Sequence, residues 1–236
     1  MLLFYVRHGD PIYNPNMLTP LGERQAEAVA KRLALYGIDK IYASPSNRAM
    51  QTAKPTAELL KLEINEADFA DEAHVWRDLT CGRDDGKMTW LFQHERMRKL
   101  LVSPEVRSLG DEWYKHPELQ AYESGIKKVY DNVDAFLSSL GYEHERYTGR
   151  YKAIKPNNDR IALFAHQGFG LAFLSSLLDI PYPAFSTHFD MGHTGLSVIE
   201  FADEGGICIP TLLTLANDSH IYKDGLPTKY QNRLYF

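Results

Sequence analysis

Two apolar runs, LLFYV at residues 2–6 and IALFA at 161–165, constrain this chain more than any other feature. Each is short, unbroken by polar residues and rich in strand formers, the pattern of a strand covered on both faces. Each also stops at a histidine, in RHG at residues 7–9 and in HQG at 166–168. A strand covered on both faces needs helices on either side, and the sequence between the runs supplies them. TPLGERQAEAVAKRLALYG reads as a helix capped by Thr19, with Pro20 at its first position, an apolar face of Ala26, Val29, Ala30 and Leu33, and Gly37 at its end. IDKIYASP reads as a second strand, and Ser44 and Pro45 open a helix through NRAMQTAKPTAELL, which Pro55 is expected to kink or interrupt. A short third strand is expected near LEIN.

From Gly82 to about Lys155 the character changes to long charged helical stretches such as MTWLFQHERMRKLL and ESGIKKVYDNVDAFLSSLGY. After the IALFA run come a helix, FGLAFLSSLLDI, and two strands, GLSVIEF and CIPTLLTLAND. Strand and helix alternate, which predicts a three-layer α/β/α fold with a largely parallel central sheet. The expected organisation is one domain over residues 1–236 with a mainly helical insertion at about 82–155.

Composition narrows the function. The formal charge of −5 argues against a nucleic-acid binder or a polybasic membrane module, so an anion site has to be built locally. No stretch approaches the ~20 apolar residues of a membrane span, and the first run is too short for a signal-peptide core, so folding is expected to begin at residue 2. Cys81 and Cys208 stand far apart without metal-ligand spacing, which predicts reduced thiols, a cytoplasmic protein and no zinc site.

His8 and His166 each follow a strand. In open α/β sheets the carboxyl ends of strands face the ligand crevice, so parallel neighbouring strands would bring both imidazoles to one edge. Arg7 precedes His8, and Arg48 falls in the first turn of a helix, where the backbone dipole and the guanidinium act together on an anion. Two arginines and two histidines at one edge suit a tetrahedral oxyanion.

VRHGDPIYN, SPSNRAMQTA and FAHQG together resemble the histidine phosphatase superfamily, which includes the cofactor-dependent phosphoglycerate mutases. The resemblance covers residues 2 to about 66 and about 160 to 220. It implies that His8 is the nucleophile that becomes phosphorylated, that Arg7, Arg48 and His166 hold the phosphoryl oxygens, and that Asn14 also touches phosphate. Gln167, which replaces a frequent Gly of the family, is a further candidate for phosphate or substrate binding. Laying the family pattern along the acidic segment puts Glu72 in the place of the proton donor. Asp71, Asp10, Glu66 and Asp68 remain alternatives.

No metal is required by this chemistry, because a neutral imidazole attacks phosphorus directly and fixed cations stabilise the transition state. Asp10 and Pro11 stand where the family commonly has Glu-Thr. The family's mutase motif is absent after Glu72, where AHVWRDLTCGRDDGK offers only Arg77, Arg83 and Lys87. The expectation is therefore a metal-independent phosphomonoesterase acting on a phosphorylated small molecule and releasing inorganic phosphate, with no cofactor. A mutase primed by 2,3-bisphosphoglycerate and a non-catalytic member binding a phospho-ligand or phosphoprotein are the alternatives. His188, His193 and Thr194 precede a strand at the same edge, and a structural role is the expectation for both histidines. Trp76, Trp90, Trp113, Tyr114, Tyr122 and Tyr130 read as core or as an apolar substrate wall. The aromatic, basic tail HIYKDGLPTKYQNRLYF suits docking on the domain or on a second copy, so a homo-oligomer stays open.

Overall fold

The structure is a computed structural model that describes residues 1–228 and 230. Six strands form the central sheet: β1 (Leu2–Arg7), β2 (Lys40–Ala43), β3 (Ile64–Glu66), β4 (Arg160–Ala165), β5 (Leu196–Glu200) and β6 (Thr211–Asn217). Their spatial order is β6-β5-β1-β4-β2-β3. β1, β4, β2 and β3 are mutually parallel, whereas β5 pairs antiparallel with both β1 and β6. Both apolar runs therefore lie side by side at the centre of a mostly parallel sheet.

Side chains alternate across the central strand, as the pleat requires. Phe4 and Val6 enter one core with Val29 and Leu33 of α1 (Pro20–Tyr36) and Ala53 and Ala57 of α2 (Asn47–Leu60). Leu3 and Tyr5 enter the other, with Val133 and Leu137 of a long helix at Glu123–Ser139 and Phe169 and Phe173 of a helix at Gln167–Leu177. The result is three layers, α/β/α. All four β1 side chains are fully buried, each contributing about 1.5–3 kcal/mol of apolar transfer.

Local signals set the helix boundaries. The Thr19 hydroxyl accepts from the Gly22 amide at 3.0 Å, Pro20 follows, and Gly37 ends the helix in the left-handed region at φ 73°. α2 runs without interruption through Pro55, contrary to the expected break. Ala53, Thr56 and Ala57, buried on either side of the proline, hold the segment helical through packing despite the missing donor.

The segment 82–155 is helical in its middle, with helices at Glu95–Leu101, Pro104–Ser108 and Glu123–Ser139, but its edges are β. A hairpin, Thr80–Gly82 with Met88–Trp90, opens it, and a second, Tyr142–Glu145 with Arg150–Ala153, closes it and pairs with Ile207–Cys208. Its Trp113, Phe136 and Tyr142 share the core containing Leu3 and Tyr5. Cys81 and Cys208 are free thiols. The start of the tail docks on the domain, where Ile221 and Leu226 cluster with Ala28 of α1; the rest of that expectation, at 229 and 231–236, lies outside the described residues.

Candidate active site

The sheet registers build the site. Arg7 pairs with Ala165 at the ends of β1 and β4, and Phe164 pairs with Ala43 at the end of β2. The next residues, His8, His166 and Ser44, therefore leave the sheet at one edge. The backbone continues the ladder one step further: the His8 amide donates to the Ala165 carbonyl and the Ser44 amide to the Phe164 carbonyl, both at 2.9 Å. Gly9 has to be glycine, because a Cβ there would lie 2.6 Å from the Gly22 carbonyl oxygen of α1.

The two imidazoles are buried, with ring centroids 5.3 Å apart. Nδ1 of His8 lies 2.7 Å from the Gly9 carbonyl oxygen. A carbonyl only accepts, so Nδ1 carries the hydrogen and Nε2 keeps its lone pair. Burial, then the fields of His166 and Arg7, hold the His8 pKa well below 6.5, which preserves the neutral, nucleophilic ring. His166 is also pushed well below 6.5, by burial and then by Arg48 and Arg7.

Ser44, read with Pro45 as the start of the second helix, does not open it, since that helix begins at Asn47 with Ser46 at its cap position; Ser44 contacts His166 instead. Its Oγ lies 2.8 Å from Nε2 of His166 and accepts from the Ser46 amide at 3.3 Å. A hydroxyl that donates to Nε2 leaves the His166 hydrogen on Nδ1, the nitrogen that has no other hydrogen-bond partner. Its signal was available: like His8 and His166, Ser44 directly follows a strand of the same sheet.

Arg7 is buried, donating to the Met191 carbonyl and lying 3.0 Å from Nε2 of His193. Arg48, in the first turn of α2, donates to Oε2 of Glu72 at 2.8 Å and to Oδ1 of Asn16 at 3.2 Å. Nε of Arg7, Nε of Arg48 and Nδ1 of His166 are buried atoms without a hydrogen-bond partner. Buried donors of this kind carry a desolvation cost that an oxyanion relieves.

Glu72 opens a short helix, α3 (Glu72–Asp78), whose amide end is capped by the Asp71 carboxylate. Its Oε1 accepts from the Gly168 amide at 3.1 Å, and its Oε2 lies 3.7 Å from Nδ1 of His166. Burial raises the Glu72 pKa above 4.5, against the opposing pull of Arg48. A raised pKa makes a carboxyl a better match for proton donation near neutral pH.

The described residues include one cluster able to hold a metal, His8, Glu72 and His166, whose donor atoms lie within 4.8 Å of one another. Arg7 and Arg48 stand against the same atoms, so a divalent cation would meet two fixed positive charges while an anion is stabilised by them. The site fits the anion better.

The sequence expectations separate clearly. Arg7, His8, Arg48, Glu72 and Gln167 line a cavity of about 810 Å³, with His166 buried behind them. Gln167 donates to Oδ1 of Asp190. Asn14, expected on the phosphate, is exposed at the tip of a small hairpin, Pro11–Ile12 with Met17–Leu18, and does not line the cavity. The pairing carries the chain past the site before it returns, so Asn16 lines the cavity instead and joins Arg48 to Ser46. Among the other carboxylates, Asp71 lines the cavity while capping α3, Asp10 accepts from Thr19, and Glu66 and Asp68 are exposed. His193, expected to be structural, lies against Arg7 and 5.8 Å from the His8 ring; His188 is exposed. Trp76 and Trp90 line the cavity, whereas Trp113, Tyr114 and Tyr130 are core and Tyr122 packs against it.

Comparisons with known proteins agree with this geometry. The sequence model of the histidine phosphatase superfamily (branch 1) matches residues 3–211. Phosphoserine phosphatase 1 of Hydrogenobacter thermophilus is 28% identical over 157 residues, 62% of this chain and 67% of that protein. A protein named probable phosphoglycerate mutase GpmB, of Yersinia enterocolitica, is 38% identical over 71 residues, 26% of this chain and 33% of that one. Among solved structures, a phosphoserine phosphatase mutant from Entamoeba histolytica in complex with phosphoserine superposes with a TM-score of 0.62 at 19% identity, covering 93% of this chain and 98% of the other. Sheet order, strand-end histidines and matched family model lead to one conclusion: the chain belongs to the histidine phosphatase superfamily, branch 1, as an enzyme that hydrolyses phosphate monoesters through a histidine.

Proposed function

We propose that His8 attacks the phosphorus of a phosphorylated small molecule without help from a metal. The Nε2 lone pair forms the N–P bond as the P–O bond to the leaving group breaks. Nδ1–H stays on the Gly9 carbonyl and steadies the positive charge that develops on the ring. Arg7, Arg48 and Nδ1 of His166 donate to the phosphoryl oxygens, whose charge is spread in the transition state. Glu72 gives its proton to the leaving oxygen, producing the alcohol. The resulting carboxylate then takes a proton from the water that attacks phosphohistidine, and inorganic phosphate leaves as His8 returns to its neutral form. Asn16, not Asn14, steadies Arg48.

The observation that carries this reading is the position of Glu72 beside Arg48 and His166. A non-catalytic binding role would need no carboxyl there. A mutase needs further cations for a second phosphate, and among the described residues lining the cavity only Arg7 and Arg48 are basic. The relatives named for phosphoserine and phosphoglycerate make both compounds part of the substrate panel.

The test is inorganic phosphate release from that panel with EDTA present. His8→Ala should abolish release and keep its melting temperature. Glu72→Gln should slow alkyl phosphates at least tenfold more than p-nitrophenyl phosphate, whose leaving oxygen needs little protonation; equal slowing would remove Glu72 from the acid role. Isomerisation of 3-phosphoglycerate outpacing phosphate release, once bisphosphoglycerate is added, would establish the mutase instead.

A further inference from the structure

The cavity, about 810 Å³, is larger than a phosphoryl group requires, and part of its wall is aromatic. Trp90 is 5% exposed and seated on the turn after His166: a Cβ on Gly168 would lie 2.2 Å from Cζ2 of its indole. Only glycine lets the ring lie on that backbone, whose Gly168 amide also holds Glu72. Phe92 stacks on Trp90 at 5.8 Å and 14°. Trp76 meets Trp90 edge to face, with centroids 4.9 Å apart and planes at 89°.

Trp76 is 38% exposed and lines the cavity. It follows Glu72 by four residues on α3, one helical turn along the same face. The carboxyl that protonates the leaving oxygen and the indole beside whatever that oxygen carries are thus presented together. Tyr13, on the opposite rim, lies with its ring under the Arg48 guanidinium at 5.4 Å.

The polar lining is equally selective. Arg7 and Arg48 are committed to the phosphoryl group, and the remaining polar side chains are neutral or acidic: Asn16, Asn47, Gln93, Gln167 and Asp71. Arg83, Arg96 and Lys99 lie beyond Gln93 in a neighbouring cleft, each ion-paired, with Asp85, Glu118 and Glu95. A leaving group with its own carboxylate or phosphate would face Asp71 with no opposing cation among the described lining residues, an arrangement that costs desolvation without recovery.

We propose that the preferred substrates are monophosphates of alcohols bearing a flat, π-rich and non-acidic group, which lies against the exposed part of Trp76, itself held in place by the buried Trp90. Compact acidic phosphates such as phosphoserine and 3-phosphoglycerate are then the poorer class. The proposal rests on the phosphomonoesterase reading above. Stacking on an indole face is sequence-tolerant and strong enough to discriminate substrates by an order of magnitude.

The experiment compares kcat/KM for benzyl phosphate, adenosine 5′-monophosphate, ethyl phosphate, phosphoserine and 3-phosphoglycerate. All are alkyl phosphates, so leaving-group acidity varies little. Benzyl phosphate and adenosine 5′-monophosphate should exceed ethyl phosphate and both acidic compounds at least tenfold. Trp76→Ala should lower kcat/KM for benzyl phosphate at least fivefold more than for ethyl phosphate, mainly through KM, and Trp76→Phe should recover most of the difference. A wild-type preference for phosphoserine or 3-phosphoglycerate, or equal losses for all substrates in Trp76→Ala, would overturn the aromatic preference while phosphate release itself kept the enzyme a phosphatase. No release from any compound, p-nitrophenyl phosphate included, would overturn both readings.

Discussion

His8 and Glu72 are displaced from their ordinary acidities in opposite directions, and the pH dependence of the reaction follows. Burial, then coupling to His166 and the charge of Arg7, keeps His8 neutral well below pH 6.5, so the acid limb of kcat/KM should not fall at the usual imidazole value. Burial keeps Glu72 protonated above 4.5, so as pH rises through that raised value the proton donor is lost. Alkyl phosphates, which need the proton, should decline on this alkaline side, while p-nitrophenyl phosphate stays flatter. Parallel pH profiles of the two substrate types measure this directly; identical profiles would separate Glu72 from leaving-group protonation. His193 works one layer back, its Nε2 at Arg7 and its Nδ1 3.4 Å from Asp10, so the nucleophile's neighbouring cation is itself held from behind.

At the scale of elements, α1 ties the first loop to the site. The Thr19 hydroxyl caps the helix and donates to Oδ2 of Asp10 at 2.7 Å. Thr19→Ala should destabilise the protein by roughly 1–2 kcal/mol in chemical denaturation, with Thr19→Ser restoring most of it. Such features were legible because they are local: a cap and a proline announce a helix, and an apolar run ending in His-Gly announces a strand and its edge. Residues that follow strands or open helices were placed at the cavity for that reason. Asn14 lies off the cavity because the hairpin of Pro11–Ile12 with Met17–Leu18 carries the loop away, and no count along a motif reports that pairing. Trp90 on Gly168 joins residues from separate parts of the chain, so its signal exists only after folding. His193 depends in the same way on β5 lying beside β1.

At the scale of the molecule, a buried ionic cluster fastens the closing hairpin of the 82–155 segment to both neighbouring helices. The side chain of His144 is buried, with Nδ1 2.8 Å from Asp134 and Nε2 3.1 Å from Asp179, and its ring stacks on Tyr151 at 4.1 Å. Carboxylates only accept, so both nitrogens donate and the ring is an imidazolium. Burial alone would lower its pKa, but hydrogen bonds to Asp134 and then Asp179 raise it above 6.5. Both aspartates fall below 3.8, burial being outweighed by bonds to His144 and, respectively, Arg146 and the Gly149 amide. The His144 contribution is therefore complete below pH ~6.5 and is lost as pH rises through its folded value, whereas the aspartate contributions are complete above pH ~3.8 and are lost on further acidification. Urea midpoints between pH 6 and pH 9 should fall more steeply in the wild type than in His144→Phe. NMR titration of the His144 ring checks the same point without a variant, and an unshifted ring would remove the cluster from the pH dependence.

The pairing of β1 has a consequence for synthesis. β1, which carries the proposed nucleophile, is synthesised before both its neighbours, β4 and β5, which begin at residues 160 and 196. The histidine proposed as the nucleophile is therefore made before both of the strands that set it in place. Such long-range pairing slows folding and exposes an apolar strand while the chain waits. A growing chain stalled before Glu200 therefore holds the proposed nucleophile without its frame, and activity should appear only once β5 has been made.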